Sequence, residues 1–143
     1  MSTKRMNNLD GIRTILVVDD DPEELASTCT MLTAGYAVIA ASCGTEAIRL
    51  AAENTPDVIV LDVILQGGKD GFSIFRDLGN HSATSGIPVI FLTNVNEITG
   101  MSFGAKEVNR LLKRKPAAFL EKPVSPAVLI REVAKAIAHP LRP

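Results

Sequence analysis

A small set of residues in this chain could do chemistry on a charged oxygen substrate, and each stands at the end of a short aliphatic run. Asp19 and Asp20 follow "TILVV", Asp62 follows "VIVL", Thr93 follows "VIFL", and Glu121, Lys122 and Pro123 follow "AAFL". A carboxylate placed against buried apolar chain is costly unless something compensates it. Carboxylates crowded into one pocket repel each other and call for a cation, and oxygen-only ligands favour a hard one, Mg²⁺ or Ca²⁺. Mg²⁺ typically takes one or two carboxylates and leaves positions for water and phosphate oxygens. A metal, the Lys122 ammonium, the Thr93 hydroxyl and a free carboxylate together make a phosphoryl-transfer site. In that reading Asp62 is the nucleophile and becomes an aspartyl phosphate. Each position alone has a plainer explanation: Asp-rich turns after strands are common, and Asp21 reads as a helix cap. Their joint occurrence, in order on successive units, points to a site.

The elements that must position these residues are legible from periodicity. "TILVV" (Thr14 to Val18), "VIVL" (Val58 to Leu61), "VIFL" (Val89 to Leu92) and the weaker "AAFL" (Ala117 to Leu120) are continuous apolar runs without polar alternation. Such runs predict strands buried on both faces of a parallel sheet. "YAVIAAS" (Tyr36 to Ser42) predicts an edge strand. Helical patterns lie between them. Asp21-Pro22 caps the first, with Leu25, Cys29 and Leu32 on one face and Gly35 as its stop. Thr45 is expected to cap the second, buried through Ala47, Ile48, Ala51 and Ala52. Phe72, Phe75 and Leu78 mark the third, and the fourth falls within Glu97 to Lys115. Ser125-Pro126 caps the fifth, buried through Leu129, Ile130, Val133 and Ile137 and ended by Pro140. The order is (βα)5, an α/β doubly wound parallel five-stranded sheet. Ligands collect at the carboxyl ends of strands in such sheets. With neighbouring strands about 4.8 Å apart, Asp19, Asp20 and Asp62 should share one pocket.

The bulk composition excludes some classes. The chain has 143 residues, 46% hydrophobic and 22% charged, with a net charge of -1, which suits one domain and gives no reason to expect a nucleic-acid or anionic-membrane partner. No apolar run approaches the roughly 18 residues of a membrane span, and "MSTKRMNNLDGIR" has no signal-peptide apolar core. Cys29 and Cys43 lack metal-ligand spacing and read as free thiols in a reducing compartment, so the expected address is the cytoplasm. Residues 1–12 read as a flexible lead-in, 13–139 as the domain and 140–143 as a tail.

At this point the sequence resembles the receiver domain of two-component response regulators, from about Arg13 to Ala138. "ILVVDDDPEEL" is similar to the family's first strand, acidic pair and first helix, and "PDVIVLD" to its phospho-acceptor strand. "IPVIFLTN" carries the switch threonine and "AAFLEKPV" the lysine followed by proline. The resemblance implies a flavodoxin-like receiver fold with strand order 2-1-3-4-5. It implies Mg²⁺ bound by Asp19, Asp20, Asp62 and the backbone carbonyl of Ile64, and phosphorylation on Asp62. Thr93 is then the hydroxyl that swings to the phosphoryl group, Lys122 its salt-bridging partner, and Lys122-Pro123 a cis peptide. Phe119 falls at the aromatic switch position coupled to Thr93. The implied donor is a sensor histidine kinase or a histidine phosphotransfer protein. Output would pass through the surface of the fourth helix, fifth strand and fifth helix to a target protein, or to a second copy of the chain on activation. With no effector domain in the sequence, output is expected from protein contacts alone.

The sequence departs from the family at three places. Gln66 stands where the loop after the phospho-acceptor usually has proline, and Asp70-Gly71 arrives one residue late, so a more mobile loop and a shifted third helix are expected. Asn94 replaces a small residue after the threonine and narrows access. The span from Thr93 to Lys122 is longer than usual by roughly seven residues, within the fourth-helix region. There Ile98, Met101, Phe103, Val108, Leu111 and Leu112 predict an enlarged or broken helix, and Arg110, Lys113, Arg114 and Lys115 a solvated helix end. Ile64 and Val95 flank the expected water route and are aliphatic, which predicts slow self-dephosphorylation. Two other classes use the same topology or a strand-end aspartate. A small phosphatase or phosphotransferase would place a second Asp two residues past the nucleophile, where Ile64 stands. A flavodoxin-like carrier would need a phosphate-cradling first turn, and "DDDPEE" would repel a phosphate.

Overall fold

The computed structural model describes residues 11–63, 70–94 and 115–138. Five parallel strands form one sheet in the order β2-β1-β3-β4-β5. They are β1 (Thr14–Val18), β2 (Ala37–Ala41), β3 (Val58–Asp62), β4 (Val89–Thr93) and β5 (Ala118–Glu121). The described helices are α1 (Pro22–Leu32), α2 (Gly44–Asn54), α3 (Gly71–Gly79) and α4 (Pro126–Ala138), the last being the fifth of the predicted set. Most of the predicted fourth helix, with Ile98 to Arg114, lies outside the described residues, as do Gln66, Val95, Pro140 and nearly all of the lead-in.

The uniform apolar runs are explained by two cores. Successive strand residues point to opposite faces. Leu16, Val18, Ile59, Leu61, Val89 and Phe91 meet α2 and α3 through Ala47, Ala51, Ile74, Phe75 and Leu78. Ile15, Val17, Val58, Val60, Ile90 and Leu92 meet Leu32 of α1 and Leu129, Val133 and Ala136 of α4 on the other face. Every residue of β1, β3 and β4 is therefore buried, whereas the edge strands β2 and β5 are only partly covered.

Several local expectations need correction. Asp62, Thr93 and Glu121 are the last residues of their strands, because each ladder continues one residue past the apolar run. Cys43, not Thr45, is the N-cap of α2, and it makes no side-chain cap bond. Instead the Glu46 carboxylate reaches back to accept the backbone N–H of Ser42, the residue before the cap, at 3.3 Å. Helix α1 ends at Leu32 with a right-handed Thr33 cap, so Gly35 is not a left-handed stop. Ala52 and Ile130 are exposed. Each follows a buried residue, and one residue is a 100° turn of the helix, enough to leave the sheet-facing stripe.

Candidate functional site

The site is built at the carboxyl edge of the sheet, where three strand ends are locked in height. The Val63 N–H donates to the Leu92 carbonyl at 3.2 Å, and the Lys122 N–H donates to the Thr93 carbonyl at 2.7 Å. Asp19 leaves β1 immediately before α1. Its Oδ1 accepts the Asp21 backbone N–H at 3.0 Å, while Asp21 caps α1 by accepting the N–H groups of Glu23 and Glu24. One short turn thus orients both a site carboxylate and a helix. Asp62 closes β3 beside it. Asp19 is 2% exposed and Asp62 5%.

Asp19, Asp20 and Asp62 each offer a carboxylate oxygen, and these lie within 4.8 Å of one another. An all-oxygen set of this charge fits a hard divalent ion. Lys122 enters from the β5 side. Its Nζ is 3.2 Å from Asp62 Oδ1, 3.6 Å from Asp19 Oδ2 and 2.5 Å from Glu24 Oε1. Burial alone would pull the Lys122 ammonium toward the neutral form. The hydrogen bond that Lys122 donates to Glu24 and the charges of Asp62 and Asp19 outweigh it and hold the proton more firmly than usual. Burial pushes the Asp19 carboxyl above its ordinary value of 3.8, against the Asp21 N–H and Lys122, which favour the ion.

Thr93 is 7% exposed at the end of β4, one residue beyond the Leu92 that pairs with Asp62. Asn94 is exposed and lines a groove of about 320 Å³ with Glu24, Lys122 and Pro123. The Lys122–Pro123 peptide is cis. Phe119 is turned inward: it stacks on its ladder partner Phe91 at 5.2 Å and 16° between planes, and Phe91 also meets Phe72 and Phe75 edge-on. Ile64 and Val95 lie outside the described residues.

Two residues take roles that the sequence reading did not assign them. Glu24 reads there as an ordinary first-turn acid facing the helix dipole, and it meets Lys122 across 98 residues of chain. Gly71 opens α3 against the backbone that follows Asp62: its N–H donates to the Val63 carbonyl at 2.6 Å. A Cβ at this position would stand 2.3 Å from the Asp62 carbonyl oxygen. The late Asp70-Gly71 pair was the available signal, since glycine permits close backbone approach.

An open parallel α/β sheet with an acidic cation pocket and a buried lysine at its carboxyl edge defines a class of phosphoryl-accepting switch domains. The profile of the response regulator receiver domain matches residues 15–134, and the chain belongs to that family. It is 32% identical over 125 residues to the protein PilH of Pseudomonas aeruginosa, covering 87% of this chain and 97% of PilH. It is 35% identical over 124 residues to the response regulator PleD of Caulobacter vibrioides, covering 83% of this chain and 25% of PleD. Among solved structures, a putative response regulator from Chloroflexus aurantiacus matches with TM-score 0.76 and 29% identity, over 90% of this chain and 99% of that one. The receiver domain of the sensor histidine kinase PA1611 from Pseudomonas aeruginosa, crystallised with magnesium in its active-site cleft, matches with TM-score 0.74 and 28% identity, over 89% and 98%. The chain's role is therefore that of a phospho-accepting signalling domain. No helix among the described residues is long and apolar enough to cross a membrane.

Proposed function

We propose that Asp62 is the phospho-acceptor, that Asp19, Asp20 and Asp62 hold Mg²⁺, and that Lys122 and Thr93 receive the phosphoryl oxygens. The observation that carries this is the single patch in which three aspartate oxygens lie within 4.8 Å of one another and the Lys122 ammonium sits 3.2 Å from Asp62. A phosphohistidine of a sensor kinase or phosphotransfer protein is the donor. An Asp62 oxygen attacks phosphorus, the P–O bond forms as the P–N bond breaks, and the histidine, protonated at its other ring nitrogen, leaves as neutral imidazole. Mg²⁺ held by Asp19, Asp20 and Asp62 would neutralise carboxylate and phosphoryl charge there. Lys122, already ion-paired to Asp62, turns its N–H donors to the new oxygens, and the Thr93 hydroxyl donates from β4. The new charge draws Thr93 inward and releases space beside Phe119, so the Phe91–Phe119 stack is the element that two states would share out differently. The described part of the output face is β5 and α4, and the occupant is a target protein in the same compartment as the kinase, which we take to be the cytoplasm.

The test is incubation with acetyl phosphate and Mg²⁺ followed by intact-mass measurement. A gain of one phosphoryl group is expected, lost on chelation and in Asp62→Asn. A gain that survives Asp62→Asn would remove Asp62 from its proposed role.

A further inference from the structure

Lys122 has three protons and three carboxylates around it, and the tightest of these contacts is not with the site aspartates. Glu24 Oε1 lies 2.5 Å from Nζ, nearer than Asp62 Oδ1 at 3.2 Å or Asp19 Oδ2 at 3.6 Å. Glu24 is held for this contact. It stands in the first turn of α1, its own N–H donating to the Asp21 cap, and its side chain, 50% exposed, reaches from the rim of the groove that Lys122 and Pro123 also line. It lies outside the group of oxygens that could hold a metal, yet its charge is felt at Asp19.

We infer that Glu24 is a positioning residue that restrains Lys122 in the unphosphorylated state and slows phosphoryl capture at Asp62; this rests on the phospho-acceptor reading above. Two effects act in the same direction. The ammonium that should meet the incoming phosphoryl oxygens is already occupied, so one ion pair must be given up or shared when the oxygens arrive. The charge count is also unfavourable to an anionic donor. Asp19, Asp20, Asp62 and Glu24 against Lys122 and one divalent ion leave the patch net negative, whereas without Glu24 it would be neutral. A field of either sign at the mouth of a cleft changes the encounter rate of a charged substrate, and the effect falls with ionic strength. The Glu24–Lys122 pair is thus a built-in brake, set by one helix residue rather than by the reacting groups.

The experiment compares initial rates of Asp62 labelling by acetyl phosphate in the wild type, Glu24→Gln and Glu24→Asp, at low and high salt with saturating Mg²⁺, and measures Mg²⁺ affinity and thermal midpoint for each. Glu24→Gln should label roughly threefold faster or more at low salt, with a smaller gain at high salt. Glu24→Asp should return toward the wild-type rate. Mg²⁺ affinity should weaken modestly at low salt with the loss of a nearby negative charge, an effect that saturating Mg²⁺ removes from the rates, and a thermal midpoint close to wild type separates the brake from a merely structural role. Equal or slower labelling of Glu24→Gln, with the wild type labelled normally, overturns the inference alone. Absence of label in all three proteins overturns the phospho-acceptor reading, and the inference with it.

Discussion

Strand β3 has an aspartate at each end, and the two live under different electrostatic rules. Asp57, just before the strand, is locally satisfied. Its Oδ2 accepts the Thr14 backbone N–H at 2.9 Å, its own N–H donates to the Thr14 carbonyl at 2.8 Å, and Arg13 stands 3.6 Å from Oδ1. One acid meets one base and one strand end, and the arrangement ties β1 to β3. Asp62, at the other end, is more deeply buried and shares a single lysine with Asp19 and Glu24. At the amino edge Asp57 and Arg13 are matched one to one. At the carboxyl edge Asp19, Asp62 and Glu24 share Lys122, with Asp20 beside them, an excess of negative charge that fits the cation proposed above.

Removing each acid in turn separates the two ends of β3. Asp62→Asn should lose phosphoryl labelling completely, yet without metal its thermal midpoint should equal or exceed the wild type, because Lys122 keeps two other carboxylates. If Asp62→Asn instead melted well below the wild type, the carboxyl edge would be structural like the amino edge. Next in size is Gly71→Ala. The added methyl carbon would stand 2.3 Å from the Asp62 carbonyl oxygen, and backbone must move to admit it. Overpacking of this kind costs about 1–3 kcal/mol, read by denaturant unfolding. Labelling should slow as well, because the displaced backbone belongs to the acceptor itself. Asp57→Ala comes third. It leaves a part-buried N–H of Thr14 without its carboxylate and should cost about 1–2 kcal/mol, with labelling at Asp62 unchanged once the protein is folded.

The comparison also shows what was readable in one dimension. The strands were legible because β1, β3 and β4 feed two cores at once, so polar alternation is forbidden along them. The meeting of Asp19, Asp20 and Asp62 was expected from strand-end positions and strand spacing, with the strand order implied by the family resemblance. Edge elements were read less well. Ile130 is as apolar as Leu129 but 42% exposed, since only the angle at which α4 meets the sheet decides which of the two is covered. Thr45 is a better capping residue than Cys43, yet the chain enters α2 two residues earlier, where Glu46 can reach back to Ser42. The contacts of Glu24 and Gly71 were unforeseen for the same reason. What matters about each is a contact made by distant chain, Lys122 for one and the end of β3 for the other, and a residue's own neighbours do not encode it.

The smallest effect is also the most direct probe of the excess charge. Burial raises the Asp19 carboxyl above its ordinary 3.8, with help from the charges of Glu24 and Asp20 and against the Asp21 N–H and Lys122. Between 3.8 and the raised value the folded protein binds more protons at this position than the unfolded chain does. Stability contributed by Asp19 therefore falls as pH rises through that window and stays lost above it. In metal-free protein, Asp19→Asn should thus melt higher than the wild type at pH 7, and the gap should close toward pH 3.5. Saturating Mg²⁺ should reverse the order at pH 7, because the ion stabilises the ionised wild-type set and not the amide. A wild type that outmelts Asp19→Asn at pH 7 without metal would mean that Lys122 already balances the cluster. The two ends of β3 would then differ in degree and not in kind.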